Sequence, residues 1–370
     1  MKVCFLANTA WYLKNFRETT INAFIESGHE VSLLCPERTG NELLNELSCK
    51  VFTFNLDNVG TNPVREAQSL LQVYACIKKL KPDLVYTFNP KTNLYGLLSC
   101  RLLGISCIPN VSGTGNAGEL SGWKALVYRS VLGVAFKSAS HVFFQNNSDM
   151  NEFQRFGVLR DGRFSRLPGS GVDVDRFCPS VKAGRKPFIF LLACRLIVQK
   201  GVIEYLQAAE RILNDRGDCQ FWLAGVADKT KRAVPREFIS DFEKRGIIKF
   251  LGNVGQMEKV LREVDCLVLP SWYPEGVPRT LLEGAAAGKP LITTDRPGCR
   301  DVVVEGKNGF YVEVKSVNSL VNAMERVLEL SGEELEAMGK ASRSLAEDVF
   351  DERKVIGEYL KFAEIRRPSE

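Results

Sequence analysis

Short apolar runs rich in Val, Ile, Leu and Phe alternate along this chain with longer stretches whose apolar residues return every third or fourth position. A strand buried on both faces requires runs of the first kind, and the second periodicity keeps one face of a helix apolar. In the first half the pattern predicts strands over 2–7, 30–35, 50–54, 83–88, 107–111 and 141–145. Helices are expected near 15–27, 64–80, 93–103 and 123–139. At 167–179 the periodicity stops in a stretch dense in Gly, Pro and Asp. A second series follows, with strands expected over 188–193, 219–224, 248–251, 265–270 and 291–294 and helices near 202–215, 256–263 and 278–287. From 316 to about 365 the chain reads as helical and is dense in Glu, Lys and Leu. Strand and helix in alternation build βαβ units, so the expected fold class is α/β, with two doubly wound, Rossmann-like parallel-sheet domains facing a cleft. The expected divisions are a domain over 1–168, a linker over 169–182, a domain over 183–350, and a helix over 351–370 that can pack back on the first domain.

A length of 370 residues suits two domains. With 45% apolar and 25% charged residues, the chain is neither disordered nor collagen-like. Its formal charge of +5 lies wholly in front: residues 1–168 carry 18 basic against 13 acidic side chains, and the remainder holds 31 of each. Within that half, residues 120–168 hold 7 basic against 3 acidic. The excess reads either as a solvated face or as a surface for anionic lipid head groups or a phosphate-bearing substrate. No nucleic-acid partner is expected, since there is no zinc-finger spacing, no RNP-like aromatic motif and no Lys/Arg run. The 11 cysteines lie mostly within apolar strings and none has CxxC spacing, a usage that fits reduced core thiols. The apolar start at 1–7 is too short for a signal peptide, and no segment nears the roughly 18 apolar residues that span a bilayer. The expected location is cytoplasmic and peripheral at the inner face of the cell membrane, whose surface is an expected partner.

Three motifs carry less chemistry than their form suggests. Gly113-Thr114-Gly115-Asn116-Ala117-Gly118 matches a dinucleotide-binding pattern but follows the fifth expected strand, and no carboxylate stands about 20 residues later. It reads instead as a loop whose backbone amides can approach an anion. Asp173-Val174-Asp175 lies in the expected linker, where alternating carboxylates serve turns and caps more often than metal ions. His29 and His141 each precede an expected strand and read as structural.

More weight falls on the segment from Tyr273 to Pro290. Glu275 and Glu283 stand eight residues apart around a helix start, with Pro278 expected in the first helical turn. The first N–H groups of that helix, those of Arg279 and Thr280, and the positive end of its dipole form an anion seat. Carboxylates beside such a seat can accept sugar and ribose hydroxyls. The small residues of 284–288 indicate a closely packed helix face rather than a solvated one. Upstream, Arg195 and Lys200 follow the first strand of the second domain, at the carboxyl edge where ligands of such sheets sit. Two fixed cations there can bind a diphosphate and neutralise the charge that grows on it as it departs.

At these residues the chain resembles the retaining glycosyltransferases of family four, which have the GT-B fold. The resemblance rests on Arg195 with Lys200-Gly201, on the E-x7-E frame of Glu275 and Glu283, on Gly298-Cys299-Arg300-Asp301-Val302, and on Gly306-Lys307-Asn308-Gly309-Phe310. The opening Asn8-Thr9-Ala10-Trp11-Tyr12-Leu13-Lys14-Asn15-Phe16-Arg17 resembles the branch that builds bacterial surface glycans on polyprenyl-diphosphate carriers. By resemblance the second domain binds the nucleotide sugar and the first the acceptor. Arg195 and Lys200 would hold the donor diphosphate and, with Glu275, serve catalysis. Glu275, Gly276 and Val277 would bind the transferred sugar, Thr280 would line the same site, and Glu283 would take the ribose hydroxyls. Asn8, Thr9, Arg17, Gly113 and Gly115 would face the acceptor. Many members of the family carry a Gly-Gly pair where this chain has Asn8-Thr9-Ala10, and a histidine where it has Gly113–Gly118.

The implied reaction moves a sugar, an N-acetylhexosamine by resemblance, from a UDP-sugar to a polyprenyl-diphosphate-linked glycan with retention. The UDP-sugar is a substrate, and neither a cofactor nor a metal is expected. No carboxylate pair flanks a nucleophile position, so double displacement has no support, and the resemblance implies a same-face reaction in which the departing phosphate takes the hydroxyl proton. Replacing Lys200 is expected to reduce transfer sharply with little effect on folding. The stretch 120–132, with Trp123, Lys124, Tyr128 and Arg129, reads as an amphipathic helix that either lies at a membrane surface or packs in the core with its cations extended. Two other classes stay open: a sugar-nucleotide epimerase or hydrolase, and a non-catalytic membrane-bound nucleotide-sugar sensor.

Overall fold

The computed structural model describes residues 1–36, 44–58, 60, 62–113, 130–180, 187–228 and 230–364. Its chain divides into two units, one holding Met1–Ser170 and the chain from Lys354 onward, the other Gly171–Arg353. In the first unit the strands are β1 (Lys2–Leu6), β2 (Glu30–Pro36), β3 (Lys50–Phe54), β4 (Leu84–Phe88), β5 (Ser106–Val111), β6 (Val142–Phe144) and β7 (Phe164–Arg166). They pair in parallel in the order β3-β2-β1-β4-β5-β6-β7. The apolar runs are buried as their composition requires: all five residues of β4 and four of the five in β1 are enclosed.

Helices on both faces complete this unit. Thr9 caps Ala10–Glu26, its hydroxyl accepting the N–H of Tyr12. The helix starts five residues earlier than the apolar period suggests, at this cap, and its first turn already buries Ala10 and Leu13. Pro63–Leu80 starts at a proline behind the cap Asn62, and Pro90–Leu103 ends at Gly104. The helix Glu352–Glu364 returns to the first unit, where Tyr359 is fully buried and the hydroxyl of Tyr86 donates to its carbonyl at 2.6 Å.

His141 enters this packing as a neutral ring. Its Nε2 lies 2.8 Å from Ser165 Oγ and its ring 4.3 Å from that of Phe362. Burial lowers its pKa from 6.5 to about 4, against a smaller opposite pull from Glu358. The folded state therefore binds this proton less readily than the unfolded chain does, and the associated stability is present above pH 6.5 and lost as pH falls toward about 4. Urea unfolding between pH 7 and pH 4 is expected to show this loss in wild type and a shallower dependence in His141→Gln; parallel curves would remove His141 from the account.

In the second unit the strands are β8 (Phe188–Ala193), β9 (Cys219–Ala224), β10 (Lys249–Gly252), β11 (Cys266–Leu269), β12 (Leu291–Thr294) and β13 (Gly309–Val312). They are parallel, in the order β10-β9-β8-β11-β12-β13. The stretch after 170, expected as a linker, carries Val172, Val174 and Phe177 into this unit's core. Its apolar side chains, not its glycines, decide its place. Asp173 accepts the N–H groups of Asp175 and Arg176 at 3.0 and 2.9 Å, the turn role expected of it. Three helices, Val317–Glu329, Gly332–Leu345 and Glu352–Glu364, occupy the acidic and basic tail, the second opened by a reciprocal Ser331–Glu334 cap.

Candidate active site

The second sheet changes its direction of winding between β8 and β11, which pair side by side. Connections leave such neighbours toward opposite faces, so a crevice opens at their carboxyl ends. Arg195 stands two residues beyond β8 and Ser271 two beyond β11. The topology thus brings together two segments some seventy residues apart.

A single backbone carbonyl ties them. Gln199 O accepts the N–H of Trp272 at 2.9 Å and that of Tyr273 at 3.1 Å. Gly201 makes this approach possible: its φ is +75°, and a Cβ there would stand 2.5 Å from Pro270 O. Lys200 then pairs with Glu275, and their side chains are only 10% and 12% exposed. Ser271 Oγ donates to the same carboxylate at 3.0 Å. Since Lys200 is buried against the largely enclosed Glu275 carboxylate, removing it takes away the facing ammonium, and a loss of stability is expected alongside the loss of transfer.

Arg195 is held differently. Its guanidinium carbon lies 5.3 Å from the centre of the Tyr273 ring, and Lys200 Nζ lies 5.8 Å from the same centre. One aromatic ring therefore attracts both cations. Arg195 Nη1 is 3.8 Å from Asp228 Oδ2, and the Arg195 side chain remains 55% exposed. Burial raises the pKa of Asp228, but hydrogen bonds from Thr230 and the charges of Arg195 and Arg232 outweigh it, and the carboxyl stays below its ordinary value.

The helix Arg279–Ala286 begins one residue later than expected, with Pro278 as its cap rather than in its first turn. Pro278 has no N–H to orphan, and its carbonyl accepts from Leu281 and Leu282 at 3.1 and 3.3 Å. Thr280 is the second helical residue. Glu283 is partly buried, its side chain 16% exposed, and its Oε1 accepts from Arg279 Nε at 3.0 Å. Burial pushes its pKa up, while Arg279 pulls the other way. The small-residue face packs closely, for a Cβ on Gly284 would lie 2.5 Å from Leu267 Cδ2. Val277 is buried, and Gly276 presents its carbonyl to Gly298. In the motif that ends at Phe310, the role of Asn308 is structural: its side chain bonds Val304 N at 2.7 Å and Val302 O at 3.0 Å. Burial pushes the thiols of Cys194 and Cys299 up to about 12, which leaves both unreactive.

Of the acceptor candidates, Asn8 and Thr9 follow β1 and Gly113 follows β5, at the carboxyl ends of strands of the first sheet. Asn8 N donates to Asn89 Oδ1 at 3.3 Å, and Asn89, at the end of β4, has φ of 74°. A positive-φ asparagine where the sheet changes its winding direction is a strained feature that sequence reading missed. Thr9 is engaged as the helix cap. Arg17 is fully buried, its guanidinium carbon 4.5 Å from the Phe88 ring centre and its Nη2 3.2 Å from Tyr12 Oη. So enclosed, it packs against Tyr12 and Phe88 and does not face solvent, contrary to the acceptor-facing place expected of it. Gly113 has φ of 101°. Gly115, Trp123, Lys124, Tyr128 and Arg129 lie outside the described residues. Sequence reading also missed Ser271, Tyr273, Asp228 and the pairing of Arg279 with Glu283. For Ser271 and Tyr273 a signal existed, since both follow directly on the expected strand 265–270.

The family model described as glycosyl transferases group 1 matches residues 175–345, and the glycosyl transferase 4-like model matches residues 2–146. Among curated proteins, the chain is 25% identical over 379 residues, 98% of each protein, to the N,N'-diacetylbacillosaminyl-diphospho-undecaprenol alpha-1,3-N-acetylgalactosaminyltransferase of Campylobacter jejuni. It is 26% identical, over 80% of each chain, to the UDP-Gal:alpha-D-GlcNAc-diphosphoundecaprenol alpha-1,3-galactosyltransferase of Escherichia coli. Among solved structures, a glycosyltransferase from Rickettsia africae superposes with a TM-score of 0.80 at 18% identity, covering 100% of this chain and 99% of that one. Anabaena HepE in complex with UDP gives 0.77 at 17% identity, covering 98% and 100%.

Proposed function

The chain belongs to the group 1 and 4-like glycosyltransferases of GT-B fold, and we propose that it transfers a sugar from a UDP-sugar to a glycan on polyprenyl diphosphate with retention at the anomeric carbon. The observation that carries this reading is the convergence of Arg195 and Lys200 on one ring at the carboxyl ends of β8 and β11. The two relatives, whose names specify diphosphoundecaprenol-linked acceptors, supply the acceptor class.

In this reading Arg195 and Lys200 bind the diphosphate, and Lys200 exchanges Glu275 for a phosphate oxygen. Glu275, released, accepts hydroxyl hydrogens of the transferred sugar beside the backbone of Gly276 and Val277. Glu283, with Thr280 nearby, accepts from the ribose. The bond from the anomeric carbon to the phosphate oxygen breaks as the bond to the acceptor hydroxyl forms on the same face. The departing phosphate takes the hydroxyl proton. Positioning and leaving-group stabilisation by the two cations supply the acceleration, so no metal is required. An acceptor embedded in a bilayer places the enzyme at the cytoplasmic membrane surface, with the basic first half toward the lipid phosphates.

The test is a panel of UDP-sugars against polyprenyl-diphosphate glycans in anionic vesicles, read by product mass, with and without a chelator. A chelator-insensitive product one sugar heavier is expected. Donor turnover that proceeds equally without acceptor would replace transfer with epimerisation or hydrolysis.

A further inference from the structure

Arg195 and its counter-ion are held unequally. Arg195 reaches into solvent, whereas the Asp228 side chain is only 12% exposed. Asp228 is fixed from behind, its Oδ1 accepting the N–H of Thr230 at 2.6 Å. The segment that carries it is zipped to the Arg195 segment: Leu196 N donates to Val226 O at 3.1 Å, and Val234 N donates to Leu196 O at 2.9 Å. Arg195 extends toward solvent, where a ligand can reach it, whereas the carboxylate is tethered to its own segment.

We propose that Asp228 is a built-in competitor for Arg195 that speeds release of the nucleoside diphosphate product. This rests on the reading that Arg195 binds the donor diphosphate. A diphosphate on Arg195 must share the guanidinium with a fixed anion, and two anions on one cation repel. The repulsion is unequal between substrate and product. In the sugar nucleotide the terminal phosphate is a diester-like group with one negative charge. After transfer it is a free terminal phosphate that carries a second charge over much of the neutral range. Asp228 therefore weakens binding of the product more than of the donor and favours product release, a step that limits turnover in many enzymes.

The probe is UDP, titrated calorimetrically into wild type, Asp228→Asn and Arg195→Met. Asparagine keeps the acceptor for Thr230 and removes only the charge, so Asp228→Asn is expected to bind UDP about two- to five-fold more tightly, the range set by a partly exposed ion pair. Its inhibition constant for UDP should fall by a similar factor while the donor KM falls less. A tightening cannot arise from damage to the fold. Unchanged or weaker UDP binding in Asp228→Asn, with binding clearly weakened in Arg195→Met, would overturn the proposal and leave the diphosphate reading standing. Binding unaffected in Arg195→Met would remove that reading, and the proposal with it.

Discussion

Replacing Lys200 with methionine is expected to lower the rate of transfer by two to three orders of magnitude, the usual effect of deleting one fixed donor from a site that stabilises developing charge. Methionine keeps the length and apolar stem of the side chain and removes its charge. The same substitution leaves the Glu275 carboxylate, 12% exposed, without the ammonium that compensates it. Stranding one partner of a buried pair costs about 3 kcal/mol, so Lys200→Met should also unfold at lower temperature. The two effects are separable. In Lys200→Met with Glu275→Gln no charge is stranded, and the hydroxyl of Ser271, 3.0 Å from Glu275 Oε1, still has an oxygen to donate to. The double variant is expected to regain most of the stability and none of the activity. Single-turnover transfer measured well below each unfolding temperature decides the matter. Transfer within a few-fold of wild type in Lys200→Met would take the lysine out of the reaction.

Strands and helices whose apolar residues face a core were readable from sequence alone. The runs Phe188–Ala193, Cys219–Ala224 and Leu291–Thr294 and the helix Val202–Asp215 stand where the pattern put them. Elements with little to bury were not. Phe164–Arg166 has no residue fully buried, and the helix Arg236–Lys244 buries only Ile239 and Phe242. The strand Gly309–Val312 opens with a glycine that reads as a turn but is required by packing, since a Cβ there would stand 1.9 Å from Leu291 O. For the site, each cation could be placed at a sheet edge because that depends only on where a strand ends. The partner of each cation could not, because it depends on which strands lie side by side. The adjacency of β8 and β11 decides that Lys200 meets Glu275 and that Tyr273 lies under both cations. Arg195 meets Asp228 because β9 flanks β8 on its other side.

Gly298→Ala is expected to abolish transfer, although position 298 carries no functional group. Its φ is +84°, a left-handed conformation that costs an alanine about 1–2 kcal/mol. The larger obstacle is contact. A Cβ there would stand 1.9 Å from Gly276 O and 3.1 Å from Glu275 O. Both neighbours are backbone, so no rotamer change relieves the overlap, and either the turn at 298 or the loop bearing Glu275 and Gly276 must move. The turn is itself held by the bond from Gly298 N to Asp301 Oδ2 at 3.0 Å. A shift of the Glu275 loop by the ångström or more that the overlap demands would break the Lys200 pair and misplace the proposed sugar contacts, and misplacement of that size can cost about a hundredfold in rate. Gly246→Ala is the matched control. Its φ is +72°, so it bears similar backbone strain, but no atom lies within 4 Å of the added Cβ. Gly246→Ala should lose about 1–2 kcal/mol of stability and keep wild-type transfer, whereas Gly298→Ala should lose clearly more stability than that and nearly all activity. Equal behaviour of the two variants would mean that left-handed strain alone, and not the packing of Gly298 against the Glu275 loop, accounts for the glycine.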